Sequence, residues 1–173
     1  VQAGGGDALV LAADERKAPA ASQQELDYGD AAAAMLIGKD EVLAEFLGAG
    51  TVSVDFVDHF RAAGEDVDYH WEERWVRDEG IGKLVPRAVA AALQQAGLAP
   101  AQVDHFIFPS SFARMDAQVA KTCGIRPEAV ADALLDQIGD SGLPHALLML
   151  AHLLERARPG ELIVLAQFGS GAQ

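Results

Sequence analysis

Cysteine and basic residues are both scarce in this chain of 173 residues. Its single cysteine, Cys123, excludes a disulfide within the chain and fits a reducing compartment. Lysine and arginine number 13 against 26 acidic residues, which gives a formal charge of -13, and they form no cluster. Because nucleic acids and anionic membranes are bound through clustered positive charge, we expect neither as a partner.

Long apolar runs are also missing. No uninterrupted apolar segment approaches the ~20 residues that a membrane-spanning helix needs, and no charged-then-apolar leader opens the sequence. We therefore predict a cytoplasmic protein. Residues 1–7 read as a helix end running into a turn, and from this we expect the sequence to be a piece of a larger subunit.

Half of the residues are hydrophobic, and the stretch 138–172 carries the clearest pattern. An almost continuous apolar run predicts a buried helix over 146–154, and Pro159 and Gly160 end it. A Leu-, Ile- and Val-rich run predicts a buried strand over 161–168, which leads into a glycine turn at 169–171. In open α/β sheets ligands bind at the carboxyl ends of the strands, so this turn is a candidate site.

The remaining pattern alternates strands with helices. Helical spacing of apolar residues predicts a helix over 82–96 that ends at Gly97, with further helices over 112–123 and 128–136. Apolar runs predict strands over 8–13, 31–37, 42–54 and 103–108, and Gly48 and Gly50 indicate a bend in the third of these. This order predicts a layered α/β fold with a mostly parallel mixed sheet and helices on both faces.

Residues 55–80 form a long excursion, partly helical, that is rich in acids, bases and aromatics. Its oxygen and nitrogen donors could hold a hard cation, but interleaved arginines can pair with them, which favours a salt-bridged surface. Trp71 and Trp75 either line an acyl channel or pack one helix face. The possible ligands are Asp55, Asp58, His59, Glu65, Asp66, Asp68, His70, Glu72 and Glu73.

The order of these motifs resembles the thiolase superfamily, on the branch of hydroxymethylglutaryl-CoA synthase and ketoacyl-acyl-carrier-protein synthase III. Residues 8–14 and 29–38 look like the closing strands of the family's amino-terminal half. Residues 96–108 look like the helix and strand before its catalytic histidine. Residues 139–141 match its Gly-Asn-Thr turn, and 159–172 match its penultimate strand and glycine loop.

The resemblance implies a thiolase-like fold, with residues 1–40 ending the amino-terminal half and residues 41–173 forming most of the carboxy-terminal half. It implies an acyltransferase that makes or cleaves a carbon–carbon bond in acyl-CoA thioesters through an acyl-cysteine, whose nucleophile would precede Val1. The expected partners are acyl-CoA or acyl-carrier protein and a second or different subunit in a dimer. Coenzyme A enters as the substrate thioester, and no cofactor or metal is expected.

The sequence departs from the family where catalysis is concentrated. The positions of the family's histidine and of one asparagine fall on Pro109 and Phe112, and Asp140 replaces the asparagine of the turn. Proline and phenylalanine lack the side-chain donors that stabilise a developing enolate. Ser110, Ser111 or His145 could supply the chemistry, or the branch could cleave bonds in a thiolase-like or aldolase-like way. Alternatively, the protein is a non-catalytic subunit that stabilises an active partner.

The remaining candidates are a catalytic set of Ser110, Asp140 and His145 and a substrate-binding set of Arg114, Gly169, Ser170 and Gly171. His145 is a proton carrier or a satisfied core histidine. Arg114 contacts a coenzyme phosphate or lies exposed on its helix. The glycine loop completes an oxyanion hole or is simply a tight turn. Cys123 is a buried structural thiol, with a nucleophile as the lesser reading.

Overall fold

Helix α3 is the organising helix of the structure, a computed structural model that describes residues 6–169 and 171–173. The helices are α1 (Gln23–Asp27), α2 (Glu73–Trp75), α3 (Gly82–Ala96), α4 (Met115–Cys123), α5 (Leu135–Ile138) and α6 (His145–Leu154), with a π-helix at Val76–Ile81 and 3₁₀ turns at Pro100–Gln102 and Pro127–Ala129. The strands are β1 (Ala8–Asp14), β2 (Ala31–Ile37), β3 (Val52–Ser53), β4 (His59–Phe60), β5 (Tyr69–His70), β6 (His105–Ile107), β7 (Ile163–Leu165) and β8 (Gly171–Ala172).

The parallel pair β6–β7 lies between two helical layers. Phe106 and Phe108 are buried against α3 and α4, whereas Ile107 is buried with Met149 and Leu153 of α6. Consecutive side chains of a strand point to opposite faces, so β6 fills both cores. The predicted layered α/β fold, with helices on both faces of the sheet, is therefore confirmed.

The pairing of the other strands is not the predicted one. Within the described residues, β1–β2, β3–β8 and β4–β5 pair antiparallel, and β6–β7 is the parallel ladder, which Val130 extends by a bridge to Phe106. The prediction of a mostly parallel sheet was wrong for these residues. The error arises because β1 and β2 lie 16 residues apart with only a short helix between them, and they close as a hairpin.

Helix α3 begins and ends much as predicted, and its last turn shows why. Gly97 takes a left-handed conformation at φ 69°, and its N–H and that of Leu98 return to the carbonyls of Gln94 and Leu93. The predicted partly helical character of 55–80 is also found, since Glu73–Trp75 and the π-helix run directly into α3. Gly124, at φ 74°, ends α4 in the same way, but α4 starts at Met115 rather than at 112.

Two predicted elements are absent from the described structure. Residues 42–51 form no strand, because Gly48 and Gly50 let this segment lie directly on the backbone of α3, where it has no partner strand. The helix predicted over 128–136 is also wrong. There the Ala131 N–H donates to the Phe106 carbonyl at 2.9 Å and draws the chain along β6, so that helical structure is confined to the 3₁₀ turn Pro127–Ala129 and to α5.

The hairpin β1–β2 is apolar on both faces. Leu9 pairs with Leu36, and Leu11 pairs with Ala34. Leu9 is 63% exposed, and Leu11 and Leu36 are each 71% exposed. The opposite face packs toward α6 through β2. In the described part of the chain, no helix is both long and apolar enough to cross a membrane.

Candidate active site

A cavity of about 400 Å³ opens at the carboxyl ends of β6 and β7. Because these strands are parallel, with Ile107 opposite Leu165, their following loops leave the sheet at the same edge. Pro109, Ser110, Ser111 and Phe112 from the first loop and Gln167, Phe168 and Gly169 from the second all line the cavity. The loops that follow these two strands therefore meet in one cavity.

The loop after β6 carries few groups that could act on a substrate. Pro109 and Phe112 line the cavity and have no polar side-chain atom. The Ser110 hydroxyl lies in the lining and accepts a hydrogen bond from the Phe112 N–H at 3.2 Å, which orders the turn. Ser110 and Ser111 are thus the polar side chains that this loop places in the pocket.

The Asp140–His145 turn is held by a buried histidine. The backbone N–H of Ser141 donates to His145 Nδ1 at 3.1 Å, the Ser141 hydroxyl lies at 3.1 Å from the same atom, and His145 Nε2 donates to the Ala133 carbonyl at 2.7 Å. His145 is 1% exposed and Ser141 is 0% exposed. Both ring nitrogens are engaged within the protein, which corresponds to the satisfied-core reading of His145 and leaves neither nitrogen for a substrate.

Asp140 belongs to a charged cluster on the cavity wall. Arg16 Nη1 lies 2.9 Å from Asp140 Oδ1, and Arg16 Nη2 lies 3.9 Å from Asp68 Oδ2. The guanidinium also stacks on Tyr28, 3.6 Å from the ring centroid. Burial raises the pKa of Tyr28 to about 12 although the charge of Arg16 opposes this rise. The negative charge of Asp140 is therefore balanced by Arg16.

Two glycines bring this cluster together. The carbonyl of Asp140 accepts from the Gly29 N–H at 3.1 Å, and the Asp140 N–H donates to the Asp27 carbonyl at 2.6 Å. A Cβ on Gly29 would overlap the Ile138 carbonyl oxygen, and Gly139 has φ 63°. The close approach of the two backbones places Tyr28 beside Asp140.

The glycine loop after β7 is only partly available to a ligand. Gly169 lines the cavity, but its N–H donates to the Gly171 carbonyl at 3.0 Å. Gly171 is buried in β8 opposite Ser53, and Ser170 lies outside the described residues. The predicted oxyanion-hole role of Gly169, Ser170 and Gly171 stays a prediction, and in the described geometry the N–H of Gly169 is engaged within the loop.

Arg114 and Cys123 are not brought to the cavity. Arg114 is exposed in a left-handed conformation at φ 61°, just before α4, and it is not among the cavity residues. Cys123, near the end of α4, is partly buried, and this burial raises its pKa to about 11. A thiol with a raised pKa is a weak nucleophile, which agrees with the structural reading of Cys123.

Sequence analysis missed the wall formed by β4 and β5. Asp58, His59 and His70, treated as part of a salt-bridged surface, line the same cavity as the loop after β6. His59 Nδ1 donates to Asp58 Oδ2 at 3.0 Å, and His70 Nε2 contacts the Tyr28 hydroxyl. The signal was the histidine-to-histidine spacing of eleven residues, which matches the His59–His70 strand pairing but fits no known local motif.

Salt bridges do stabilise the same excursion, as predicted. Arg61 pairs with Asp68 at 2.8 Å and Lys17 pairs with Asp66 at 3.5 Å. Among the described residues, no group of three or more His, Cys, Asp or Glu side chains is arranged to hold a metal ion. Both tryptophan readings are represented: Trp71 lines the cavity, whereas Trp75 stacks on Phe56 at 5.8 Å.

Comparison with known proteins identifies this architecture. The family model for the C terminal of 3-oxoacyl-(acyl-carrier-protein) synthase III matches residues 93–173, which hold both cavity loops. The hydroxymethylglutaryl-CoA synthase of Methanopyrus kandleri is 29% identical over 167 residues, which cover 95% of this chain and 47% of that protein. The chain belongs to the thiolase superfamily. It is a partial thiolase-superfamily chain and spans about half the length of the curated relatives it matches.

Other relatives and solved structures agree. The hydroxymethylglutaryl-CoA synthase of Aeropyrum pernix is 30% identical over 96% of this chain and 46% of its own length. 3-Oxoacyl-(acyl carrier protein) synthase III from Pseudomonas aeruginosa PAO1 superposes with a TM-score of 0.80 at 22% identity, over 96% of this chain and 56% of that one. Xanthomonas campestris OleA superposes at 0.71 with 25% identity, over 96% and 54%. The thiolase fold of the chain is thereby shown, and its division at residue 40 into two halves stays a prediction.

Proposed function

We propose that the full-length protein is a thiolase-fold acyltransferase of the Claisen type, which makes or cleaves a carbon–carbon bond beside the carbonyl of an acyl-CoA thioester. The observation that carries this proposal is the shared cavity at the ends of β6 and β7. It lies where ligands bind in α/β sheets, in a chain similar over 95% of its length to a hydroxymethylglutaryl-CoA synthase. Both acyl-CoA and acyl-carrier protein are candidate acyl donors.

The acyl-cysteine of this reaction would form outside these 173 residues. Cys123 is not among the cavity residues and has a raised pKa, so it is unsuited to accept the acyl group. The residues of this chain would form the remaining part of the pocket and polarise the thioester carbonyl. Asp140 with Arg16, Ser110 and the Gly169 loop would surround the thioester, and His145 would hold the Asp140 turn in place.

A second candidate function is a non-catalytic subunit that binds and stabilises an active partner. It is favoured by Pro109 and Phe112, which line the cavity where the family resemblance leads one to expect hydrogen-bond donors. The two functions differ in one observable, because only the enzyme forms a covalent acyl intermediate during turnover.

The deciding experiment incubates the purified full-length protein with acetyl-CoA, alone and with acetoacetyl-CoA. We expect an intact-mass increase of one acetyl group on a cysteine other than Cys123, together with condensation or cleavage products detected by chromatography and mass spectrometry. The matched control, Cys123→Ser, should retain the full adduct. If wild-type protein forms neither adduct nor product, the enzyme proposal is wrong and the subunit function takes its place.

A further inference from the structure

Two imidazoles lie next to each other on the β4–β5 hairpin, in the lining of the same cavity as the loop after β6. His59 pairs with His70 in register, and their ring centroids are 5.9 Å apart. Both rings line the cavity, as do Asp58 and Tyr28. Nothing in the expected machinery of the pocket assigns a role to this pair.

The hydrogen bonds of the two rings are asymmetric. His59 Nδ1 donates to Asp58 Oδ2 at 3.0 Å, whereas its Nε2 has no hydrogen-bond partner among the described residues. His70 uses its Nε2 with the Tyr28 hydroxyl. His59 therefore has one nitrogen fixed by a carboxylate and the other available to the cavity, the arrangement that orients a histidine for work on a ligand.

Burial of Asp58 strengthens this arrangement. The Asp58 side chain is 14% exposed, and its Oδ1 atom is buried with no hydrogen-bond partner among the described residues. A buried carboxylate with so few partners depends on the adjacent imidazole for its charge balance, which favours the protonated form of His59. The His59 side chain itself is 45% exposed, so its Nε2–H can reach a bound molecule.

The electrostatic surroundings shift the pKa values of the two histidines in opposite directions. The hydrogen bond and then the charge of Asp58 raise the pKa of His59, against the effect of burial. Burial, followed by the charges of His59 and Arg16, lowers the pKa of His70. The other charged groups near the pair are Asp68, which favours both imidazolium ions, and Asp140, which acts on His70. His59 thus stays cationic to higher pH, while His70 stays neutral beside it.

We propose that the imidazolium of His59, oriented by Asp58, donates its Nε2–H to the thioester carbonyl oxygen as that oxygen becomes an enolate oxygen. In the carbon–carbon step the electron pair of the breaking bond forms the C=C bond of the enolate, and the carbonyl π pair moves onto oxygen. The departing acyl carbon remains on the nucleophilic cysteine, and the proton stays on His59. This inference rests on the proposed function and assigns a charged donor to a pocket in which Pro109 and Phe112 supply none.

Other groups on the wall are less suited to this task. Pro109 and Phe112 have no donor, both nitrogens of His145 are engaged, and the Gly169 N–H is bonded to Gly171. Arg16 is 8% exposed and is committed to Asp140 and Asp68. His59 therefore supplies a charged donor in the same cavity where Pro109 and Phe112 supply none.

The test measures condensation or cleavage of acetoacetyl-CoA by the full-length protein and three variants, one of which is a control. His59→Ala should lower kcat on the order of 100-fold with KM changed less than about threefold, the size seen when one oxyanion donor is removed. Asp58→Asn should move the alkaline limb of the kcat profile to lower pH, because it removes the charge that raises the pKa of His59. His152→Ala, on the outer part of α6, is the matched control and should behave as wild type.

A measurement independent of turnover follows the ring protons and carbons of labelled histidines by NMR. The signal lost in His59→Ala should titrate above the ordinary histidine range in wild type and at lower pH in Asp58→Asn. Wild-type rates in His59→Ala, a loss confined to KM, or an unchanged titration in Asp58→Asn would each overturn the inference alone. A wild-type protein with no turnover would overturn the proposed function, and this inference with it.

Discussion

The hydrogen bonds of each residue in this pocket decide whether it stabilises the fold or can act on a ligand. His145 and His59 are both cavity residues, yet His145 satisfies the Ser141 N–H and the Ala133 carbonyl, while His59 Nε2 has no hydrogen-bond partner in the part of the chain that the structure describes. The chain thus uses one histidine to hold a turn and presents another to the cavity. The distinction lies in the three-dimensional partners of each ring, which the sequence around either residue does not reveal.

Replacing His145 should therefore act on stability. His145→Leu leaves a buried N–H and a buried carbonyl without partners, and we expect a loss of about 2–4 kcal/mol in the free energy of unfolding. His152→Leu, on the same helix seven residues later, is the matched control and should change stability by less than about 0.5 kcal/mol. Urea unfolding followed by circular dichroism measures both, and equal losses in the two variants would contradict the structural role of His145.

At the scale of elements, local sequence predicted the helices better than the segments between them. Helix α3 carries its own apolar spacing and its own glycine stop, so the pattern and the structure agree. Segment 42–51 looks like a strand because it holds valine, leucine and phenylalanine, but strands need partners and this segment finds α3 instead. The same limit explains 128–136, where a bond to Phe106 overrides helical preference.

Gly50 tests the contact between this segment and α3. A Cβ there would overlap the Ala88 carbonyl oxygen and lie 2.6 Å from the Ala92 backbone nitrogen. Since backbone atoms cannot move aside cheaply, Gly50→Ala should destabilise the protein by about 1–3 kcal/mol. Gly169→Ala has open space around its Cβ and should be nearly neutral for stability. Thermal melting of both variants decides the point, and a melting temperature unchanged in Gly50→Ala would show that the segment does not lie against the helix.

At the scale of the whole molecule, the resemblance in motif order predicted more than any single motif. It gave the fold and the edge where the cavity lies, because both follow from the order of strands and helices. It could not give the β4–β5 wall, since Tyr28 and Asp58 are 30 residues apart in sequence, with β2 and β3 between them. Nor could it show that Arg16 balances Asp140, a contact set by the two glycines at 29 and 139.

The apolar hairpin β1–β2 makes a prediction about the full-length protein. Strands buried on both faces are apolar throughout, as these are, yet Leu9 and Leu11 are exposed in this chain. We expect the double variant Leu9→Lys and Leu11→Lys to destabilise the full-length protein or its assembly, because each leucine loses about 1.5–3 kcal/mol of burial. Light scattering during size-exclusion chromatography and thermal melting give the readout.

Leu43→Lys is the matched control for the hairpin variant. Leu43 is 91% exposed in an irregular segment, so the same chemical change there should have little effect. If the hairpin variant is as stable and assembles as well as the control, the exposed face is a solvent surface in the complete protein as well.

The β4–β5 hairpin is joined by two residue pairs, and polar contacts connect it to the start of the chain: Arg16 with Asp68, Lys17 with Asp66, and the Tyr28 hydroxyl with His70. The loops after β6 and β7, in contrast, extend from strands embedded in two apolar cores. The wall formed by β4 and β5 is therefore held in part by the exposed Lys17–Asp66 pair, which dissolved salt screens, whereas the other wall is held by apolar packing. We therefore expect salt concentration to change the position of the wall that carries His59 and His70 more than the position of the Gly169 loop.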